Sequence, residues 1–566
     1  MNYPTFLQEV DRLASGCDAD SLRLFVHEMA RTVPEADRTR FLSTLNGFCG
    51  ASDAAFKDNP KTDTGLADQI DSILKTLEGI RSGKRALESE YNEEWDEWDE
   101  DDEDEFVFTD PDHILNDIAA AAAALHQSLD QEEYGKGAEL AKILSELTVH
   151  VSGDCEDEEL GMTELVAYDL LDIDMEQTVK EALYLTCMGC VTQDRAEEML
   201  TIMDQFGVFS VSLDEILQTG SDEIMLDSLL PSWIEALAKR PAAKTDQLLI
   251  EAQSMLQDPK TVLENASRYA GNHPVLYQTI LQTGLANADL KEMTRIGLRA
   301  MKEIPAQHPT RSKVSLLTAK YALAAQERQI AETCWMEAFR TAPTVANYLR
   351  LRLRARRWED YADGVRIAYT SYYSSRHSWE QKPLAALMFF EGRFGEILGR
   401  FMKPGTGIGW SDTFMKEGIA LILLLLDSGK TDRQGISAMW ELAIHACSFD
   451  SEEYCEGTEL ANEGSTEALF RKCFRDWKAT VDLPEGTSEA WLQKIAQWIE
   501  LRVSAIMDAN RRNYYGECAA FIAAFGEVLE SVGKPGEKLR IMQQYRTRYS
   551  RRRAFHEALR SFGMSS

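Results

Sequence analysis

Residues 399–426 read GRFMKPGTGIGWSDTFMKEGIALILLLL, and this stretch divides the chain into two helical regions. Its first part, residues 399–418, contains five glycines and one proline. Glycine raises the entropic cost of ordering the backbone and proline removes a helix donor, so this part is predicted to be a loop. The rest, Ile419–Leu426, is entirely apolar and must be buried. The sequence therefore predicts a flexible linker that leads directly into a buried helix.

The predicted loop has two interpretations. An accessible loop tethered to a buried helix is a place where a protease cuts without first unfolding the chain. An ordinary linker between two domains explains the same composition. The residues of the loop leave both interpretations open.

The chain has 566 residues and a formal net charge of −34, with 44% hydrophobic and 27% charged residues. The hydrophobic content excludes wholesale disorder. Nearly all of the excess negative charge lies before residue 419, since the remainder is close to neutral. A polyanionic body repels nucleic acid and anionic membranes and favours partners with basic surfaces. We therefore expect a protein partner, with no direct nucleic acid and no membrane.

The ten cysteines are scattered, mostly within apolar helical patterns. Such usage is typical of a reduced, cytosolic protein in which cysteine packs as a small hydrophobic residue. The N-terminus, MNYPTFLQEVDRL, has neither the basic start nor the apolar run of a signal peptide. No apolar segment approaches the length of a membrane span. We expect a cytoplasmic protein.

Two regions precede the main helical body. Helical periodicity predicts a small N-terminal helical domain at residues 1–85. The run Glu88–Glu105 then has thirteen acidic residues in eighteen, and self-repulsion predicts an extended acidic linker at 86–110. The run also contains three aromatic residues, Tyr91, Trp95 and Trp98. Acidic residues interleaved with aromatic ones also suit docking onto a basic partner, and that alternative stays open.

A repeat lies in the middle of the chain. Three prolines recur at intervals of 35 and 34 residues, namely Pro274, Pro309 and Pro343. The last complete unit has small residues at Ala331 and Ala338 with the large Trp335 between them, and the preceding unit has Gly297 and Met301 in matching places. Over about a hundred residues this pattern resembles the tetratricopeptide repeat superfamily. Small residues of this kind let the two helices of a hairpin approach closely.

A single helical hairpin cannot bury its apolar face alone, so neighbouring hairpins must stack into a solenoid with a concave surface. We predict a helical repeat domain at residues 111–398 and a C-terminal helical domain at 419–566. Three tryptophans supply core bulk to the second of these, namely Trp477, Trp491 and Trp498. The predicted fold is all-α, a helical-hairpin (TPR-like) solenoid followed by a smaller α-helical C-terminal domain.

The end of the chain reverses the charge, because residues 534–566 contain nine Lys and Arg but only two acidic residues. One interpretation is a terminal helix that docks on the acidic body of its own chain. Binding to nucleic acid or to an acidic partner is the alternative.

No motif predicts catalysis, a cofactor or a metal. Cys187 and Cys190 have redox or zinc spacing, but their context is helical and no second pair completes four ligands, so they are interpreted as buried thiols. The glycine-rich run 405–409 does not follow a predicted strand, as a dinucleotide loop must. Gly429-Lys430-Thr431 fails the P-loop pattern, because Leu424 stands where a glycine is required. We expect a protein that is not an enzyme.

The length, the acidic helical body, the loop three-quarters along and the compact helical tail together resemble the substrate protein of the type III-E CRISPR system. That family is cut by an RNA-guided caspase-like protease ("craspase"). The resemblance implies that the intact protein binds and inhibits a sigma factor, together with an accessory protein. It also implies that target RNA activates the protease and its RNA-guided effector, and that the cut alters transcription as part of an antiviral response.

Mapped onto this sequence, the resemblance places the cleaved loop at residues 403–418. Met415–Lys416 is the predicted scissile bond, because an exposed Gly/Ser/Asp stretch precedes it and the apolar run follows closely. Leu398 and Phe414 are the next candidates. A TPR-like scaffold for protein–protein interaction, without proteolytic regulation, is the competing function. A nucleic-acid binder that uses the basic C-terminus is a third possibility, which the total charge opposes.

Overall fold

The computed structural model describes residues 65–91, 106–153, 159–191, 193–222, 224–374, 382–429, 433–460 and 464–564. Most of the predicted N-terminal domain at 1–85 and the middle of the acidic run, residues 92–105, lie outside these ranges. The described residues contain 26 α-helices and four short strands, so the predicted all-α class is confirmed. The described residues from Leu74 onward belong to one compact unit.

A small sheet lies near the start of the described chain. Its strands are β1 (Leu87–Tyr91), β2 (Phe106–Thr109), β3 (Thr148–Gly153) and β4 (Glu159–Gly161), in the order β2-β1-β3-β4. β1 runs parallel to β3, and the other two neighbouring pairs are antiparallel. The first four helices are α1 (Leu66–Arg81), α2 (Ile114–Asp130), α3 (Tyr134–Ser145) and α4 (Met162–Ala167).

The predicted acidic linker at 86–110 is wrong at both ends, because β1 and β2 occupy them. In β1 the buried side chains of Leu87 and Ser89 alternate with the exposed carboxylates of Glu88 and Glu90. A strand places successive side chains on opposite faces, so acidic residues at every second position stay in water while the backbone pairs with its neighbours. The linker is predicted from the number of acidic residues in the run, which does not reveal the alternation of buried and exposed side chains.

The next six helices pack against helices one to three places away in the chain. They are α5 (Met175–Gly189), α6 (Arg195–Phe206), α7 (Leu213–Thr219), α8 (Leu226–Ala238), α9 (Ala242–Ser254) and α10 (Pro259–Arg268). Ser212 begins α7 with a capping box, in which its hydroxyl accepts the Glu215 N–H at 3.2 Å and the Glu215 carboxylate accepts the Ser212 N–H at 2.9 Å. Each of the two residues therefore satisfies a backbone donor of the other.

The repeat region forms three successive helix pairs. They are built from α11 (Val275–Thr283), α12 (Leu290–Glu303), α13 (Thr310–Ala324), α14 (Arg328–Thr341), α15 (Val345–Arg354) and α16 (Glu359–Ser374). Pro274 and Pro309 are the N-cap residues of α11 and α13, and Pro343 directly precedes Thr344, the N-cap residue of α15. The interval between the prolines is therefore the interval between helix pairs, as predicted.

The small residues of the repeat lie where helices approach closely. A Cβ atom added to Gly297 in α12 would be 2.0 Å from the Thr318 hydroxyl of α13, so only glycine fits there. In α14, Ala331, Trp335 and Ala338 are fully buried. The hairpin packing expected from the sequence is confirmed at these positions.

The chain continues through ten more helices and two short 3-10 turns, Trp410–Asp412 and Arg512–Tyr514. The helices are α17 (Lys382–Phe390), α18 (Phe394–Arg400), α19 (Met415–Leu426), α20 (Gln434–Cys447), α21 (Ser451–Cys455), α22 (Thr466–Lys478), α23 (Thr487–Asp508), α24 (Tyr515–Ser531), α25 (Glu537–Arg548) and α26 (Arg553–Ser561). Every residue of the apolar run Ile419–Leu426 is buried in α19, as predicted.

The repeat region and the C-terminal region share one core, so the predicted division into domains at 399–418 is not a division between compact units. Phe389 and Phe390 of α17 lie with their ring centroids 5.3 and 4.7 Å from Trp477 of α22. The Trp477 indole N–H donates to the Phe390 carbonyl at 2.8 Å. The sequence shows which faces are apolar, but it does not show that these faces cover one another.

The basic C-terminal residues pack on their own chain. Helices α25 and α26 contact α24, and Phe555 and Leu559 of α26 are fully buried. Arg548 pairs with Glu500 of α23, and the Arg552 guanidinium donates to the Met507 carbonyl at 2.9 Å. The tail therefore docks on α23 and α24, which belong to the nearly neutral C-terminal region rather than to the acidic body.

Candidate cleavage site

The predicted loop at 399–418 is shorter in the structure than in the prediction. Residues 399–400 end α18, residues 410–412 form a 3-10 turn, and residues 415–418 begin α19. The irregular parts are residues 401–409 and 413–414, and the exposed residues of 399–418 include Gly399, Arg400, Lys403, Gly405, Thr406, Gly409 and Ser411.

Buried side chains anchor the segment to the core. Trp410 is 1% exposed, and its indole N–H donates to the Pro404 carbonyl at 3.1 Å. Met402 is also buried, and a Cβ atom added to Gly418 would be 2.7 Å from the Met402 sulfur. The predicted flexibility of the linker is therefore wrong, because large apolar side chains between its glycines pack into the core.

The glycines themselves serve close packing. Gly407 has φ +80°, and a Cβ atom added there would be 2.7 Å from the Leu501 carbonyl oxygen of α23. A side chain at this position is excluded both by the backbone conformation and by its neighbour. Glycine content predicts a flexible loop here, but Gly407 instead allows the backbone of this segment to contact the backbone of α23.

The side chain of Arg502, in α23, binds the backbone of this segment. Its guanidinium is 1% exposed and donates to the Gly407 carbonyl at 2.8 Å and to the Ile408 carbonyl. It also donates to the Glu517 carboxylate at 2.8 and 3.0 Å. The guanidinium lies 5.0 Å from the ring centroid of Tyr514, which adds a cation–π contact. The buried charge is thus fully provided with partners.

The predicted scissile bond lies at the start of α19. Met415 is the first helical residue and is 0% exposed. The Lys416 ammonium lies 2.6 Å from the Glu517 carboxylate and 5.5 Å from the Tyr514 ring centroid. Glu517 therefore binds both the lysine that follows the bond and Arg502. A bond in this position is cut only after the first turn of α19 opens.

Neither of the two other candidate positions is exposed. Leu398 lies within α18 and is half-buried, and Phe414 is the N-cap residue of α19 and is buried. The more exposed positions are residues 403–406, which precede Trp410 in the chain, whereas the predicted bond follows it.

A second ion pair links α17 to the segment. The Lys382 ammonium donates to the Ser411 carbonyl at 2.8 Å and to the Glu417 carboxylate at 3.0 Å. Lys382 precedes the segment and Glu417 follows the predicted bond, so this contact bridges the two sides of the cut. The sequence contains no motif for it, nor for Arg502 and Glu517, because the partners lie far apart along the chain.

The other residues considered for chemistry lie elsewhere. Cys187 is buried at the end of α5, where burial raises the pKa of its thiol to about 11, and Cys190 is the C-cap residue with a pKa that burial also raises. Both thiols are therefore protonated at neutral pH. Within the described ranges, no group of three or more His, Cys, Asp or Glu is arranged to hold a metal ion.

Two further findings concern membrane-spanning helices and similarity to known proteins. In the part of the chain that the structure describes, no helix is both long enough and apolar enough to cross a membrane. No family model matches the chain, and no curated protein sequence matches it significantly.

Proposed function

We propose that this chain is a non-enzymatic regulatory protein of a type III-E CRISPR antiviral system, cut within residues 399–418 by an RNA-activated caspase-like protease. When intact, it binds and inhibits a sigma factor in the cytoplasm, together with an accessory protein. One observation carries the proposal. The Met415–Lys416 bond lies in the first turn of α19, directly after an irregular segment, and two ion pairs, Lys416–Glu517 and Lys382–Glu417, hold this turn closed.

The closed arrangement protects the bond in the resting protein. The bond is presented to a protease only in the fraction of molecules whose first turn of α19 is open, and that fraction falls as the local opening free energy rises. A protease complex that binds the flanking helices first would favour the open form, because binding to one state shifts the population towards it. Activation by target RNA then decides when the cut occurs.

A cut at Met415–Lys416 changes the local charge. Hydrolysis of the bond produces an α-carboxylate on Met415, which is buried, and an α-ammonium on Lys416, beside the lysine's own side-chain charge. Burying a carboxylate without a partner is unfavourable, and so is a positive charge at a helix N-terminus, where the helix dipole is positive. On the Lys416 side of the cut, the Glu517 carboxylate then faces two positive charges and Arg502. The severed protein therefore does not return to the closed arrangement with its former stability.

The fragments remain in contact after the cut. The aromatic cluster of Phe389, Phe390 and Trp477 spans the two sides of the severed bond. Burial of such side chains stabilises by several kcal/mol in sum, and the cut leaves this contact in place. The proposed switch is therefore a loosening at α19 rather than an immediate separation.

The charge distribution supports the proposed partner. The excess of negative charge lies before residue 419, on the fragment that precedes the cut. A sigma factor has basic DNA-binding faces, and a polyanionic surface competes with DNA for them. The cut then loosens the packing at α19 between this acidic fragment and the rest of the protein.

The test is to incubate the purified full-length chain with the RNA-guided protease complex, with and without matching target RNA. Cleavage in the segment gives fragments of about 47 and 17 kDa, as the chain divides at an accessible or opened site. The account expects both fragments only with target RNA. An intact chain in the presence of demonstrably active protease contradicts it.

A TPR-like protein–protein interaction scaffold without proteolytic regulation is the second candidate. The observation that favours it is the complete burial of Met415. The same experiment separates the two functions, because a scaffold stays intact when the protease is active.

A further inference from the structure

A short acidic segment, residues 453–459, lies across three helices of the repeat region. It reads EYCEGTE, with three glutamates and one glycine. It contacts α13, α14 and α15, although 122 residues separate Trp335 from Gly457 along the chain. Residues 453–455 end α21 and residues 456–459 follow it, so the segment contacts the repeat helices from a distant part of the chain.

The repeat helices bind the main chain of this segment. The Arg350 guanidinium, fully buried in α15, donates to the Glu453 carbonyl and to the Tyr454 carbonyl, the latter at 3.1 Å. The Trp335 indole N–H donates to the Gly457 carbonyl at 2.7 Å. Main-chain hydrogen bonds of this kind supply affinity for a peptide regardless of its side chains.

Three basic side chains select the charge of the segment. The Glu459 carboxylate lies 2.5 Å from the Arg328 guanidinium and 3.3 Å from that of Arg354. The Glu456 carboxylate lies 2.5 Å from the Lys313 ammonium. These cations belong to α13, α14 and α15, so the groove is positively charged within a body that is strongly negative overall.

The groove also selects the shape of the segment. Gly457 has φ +69°, and a Cβ atom added there would be 2.6 Å from the Leu316 carbonyl oxygen of α13. The Glu453 carboxylate accepts hydrogen bonds from the Thr344 hydroxyl at 2.9 Å and from the Asn347 amide at 2.6 Å. The contacts together require a glycine at the point of closest approach to α13. They also require acidic residues at the positions of Glu453 and Glu456, before the glycine, and of Glu459, after it.

We propose that the surface of α13, α14 and α15 is a binding groove for an acidic peptide of the pattern Glu-x-x-Glu-Gly-x-Glu, and that residues 453–459 fill it in cis. A partner protein with an acidic segment of this pattern binds there when residues 453–459 leave. A tethered segment has an effective concentration in about the millimolar range, so a free peptide does not compete while it is in place. The groove precedes the predicted cut and residues 453–459 follow it, so the tether exists only in the uncut chain, which is the form tested below.

The test uses a labelled peptide of residues 450–460, DSEEYCEGTEL, with the full-length chain and fluorescence anisotropy. The Glu459→Arg chain places a positive charge against Arg328 and Arg354, and the Gly457→Val chain introduces a clash with α13. Both changes weaken the contacts of the cis segment with the repeat helices, which raises the fraction of molecules in which the groove is open. We expect each variant chain to bind the peptide at least about tenfold more tightly than the unaltered chain does.

Two controls isolate the groove. Glu452→Arg makes the same charge change at an exposed neighbouring residue and should leave peptide binding as in the unaltered chain. A peptide with Gln in place of Glu456 and Glu459 should bind the Glu459→Arg chain at least about tenfold more weakly than the acidic peptide. Glu459 is exposed, so its variant is expected to fold even where the Gly457→Val chain does not.

Three results would overturn the proposal. The first is a Glu459→Arg chain that binds the acidic peptide no better than the unaltered chain. The second is equal binding of the acidic and the Gln-substituted peptides. The third is self-association of the Glu459→Arg chain without peptide binding, which would make a second copy of the chain the occupant of the groove.

Discussion

The Glu517 carboxylate lies 2.6 Å from the Lys416 ammonium and accepts two hydrogen bonds from Arg502, at 2.8 and 3.0 Å. One carboxylate thus connects the residue after the predicted scissile bond to the arginine that binds the carbonyls of residues 407 and 408. The accessibility of the bond therefore depends on Glu517, which lies a hundred residues further along the chain.

Glu517→Gln tests this dependence. The substitution leaves the buried Arg502 without its counter-charge and removes the ion pair with Lys416, which destabilises the closed segment by about 2 kcal/mol. Since about 1.4 kcal/mol corresponds to a factor of ten, we expect cleavage at this segment to become at least about tenfold faster. Limited proteolysis followed by mass spectrometry measures the rate.

Glu489→Gln is the control for that experiment. Glu489 is exposed on α23, and the substitution makes the same change in charge. It should leave the cleavage rate unchanged. Equal rates for the Glu517→Gln and Glu489→Gln chains would show that Glu517 does not protect the bond.

Two glycines of the segment are expected to respond differently to alanine. Gly407→Ala forces a side chain against the Leu501 carbonyl at positive φ, and we expect a loss of about 1–3 kcal/mol in the free energy of unfolding. Gly409 has φ −79° and no neighbouring atom near an added Cβ, so Gly409→Ala should stay within about 0.5 kcal/mol. Urea unfolding measures both, and equal effects would contradict the close packing of Gly407.

The shared aromatic core is expected to hold a severed chain together. After cleavage, the two fragments of the unaltered chain should elute as one complex in size-exclusion chromatography. Trp477→Ala removes the contacts with Phe389 and Phe390 and costs about 3–5 kcal/mol. The severed Trp477→Ala chain should therefore separate into fragments at a lower urea concentration than the unaltered severed chain, since residues 453–459 still join the fragments through the repeat helices.

Trp233→Ala is the matched control for that variant. Trp233 is fully buried in α8, within the part of the chain that precedes the cut. Its removal also lowers stability, but the severed fragments should stay together. Separation of the unaltered severed chain would refute the shared core as the element that holds the fragments.

The capping box of α7 is expected to confer a pH dependence on stability. The Ser212 N–H and hydroxyl and the Lys180 ammonium hold the pKa of Glu215 at about 2, below the ordinary value of 4.5. A depressed carboxyl pKa stabilises the fold above the unfolded-state pKa, and this contribution is lost as the pH falls from 4.5 towards 2.

Glu215→Gln removes this contribution at neutral pH. Its free energy of unfolding should be lower than that of the unaltered chain at pH 6, and the difference should shrink as the pH approaches 2. Urea unfolding at several pH values measures the difference. A difference that stays constant with pH would exclude the ionised carboxylate as its source.

The helical class and the repeat were predictable from the sequence, because both depend on local patterns. The proline interval marks the starts of helix pairs, and Gly297 marks a close helix approach. The apolar run after Gly418 required a buried helix, and α19 is that helix. The apolar run needs only residues within a few turns of each other, and the repeat needs only an interval along the chain.

The packing of the segment 399–418 was not predictable, because its partners are distant in sequence. Glycine composition suggests a flexible loop, whereas Arg502 binds the carbonyls of this loop from a helix about a hundred residues away. An arginine within an amphipathic helix carries no mark that it is buried. The acidic strand β1 was missed for a different reason, since its alternation is visible only when burial is known.

The position of the scissile bond tests the account most directly. The measurement is the N-terminal sequence of the smaller fragment produced by the RNA-guided protease complex in the presence of matching target RNA. The account predicts a fragment that begins at Lys416, with its side chain released from Glu517. A fragment that begins outside residues 395–420, or an intact chain beside active protease, would contradict it.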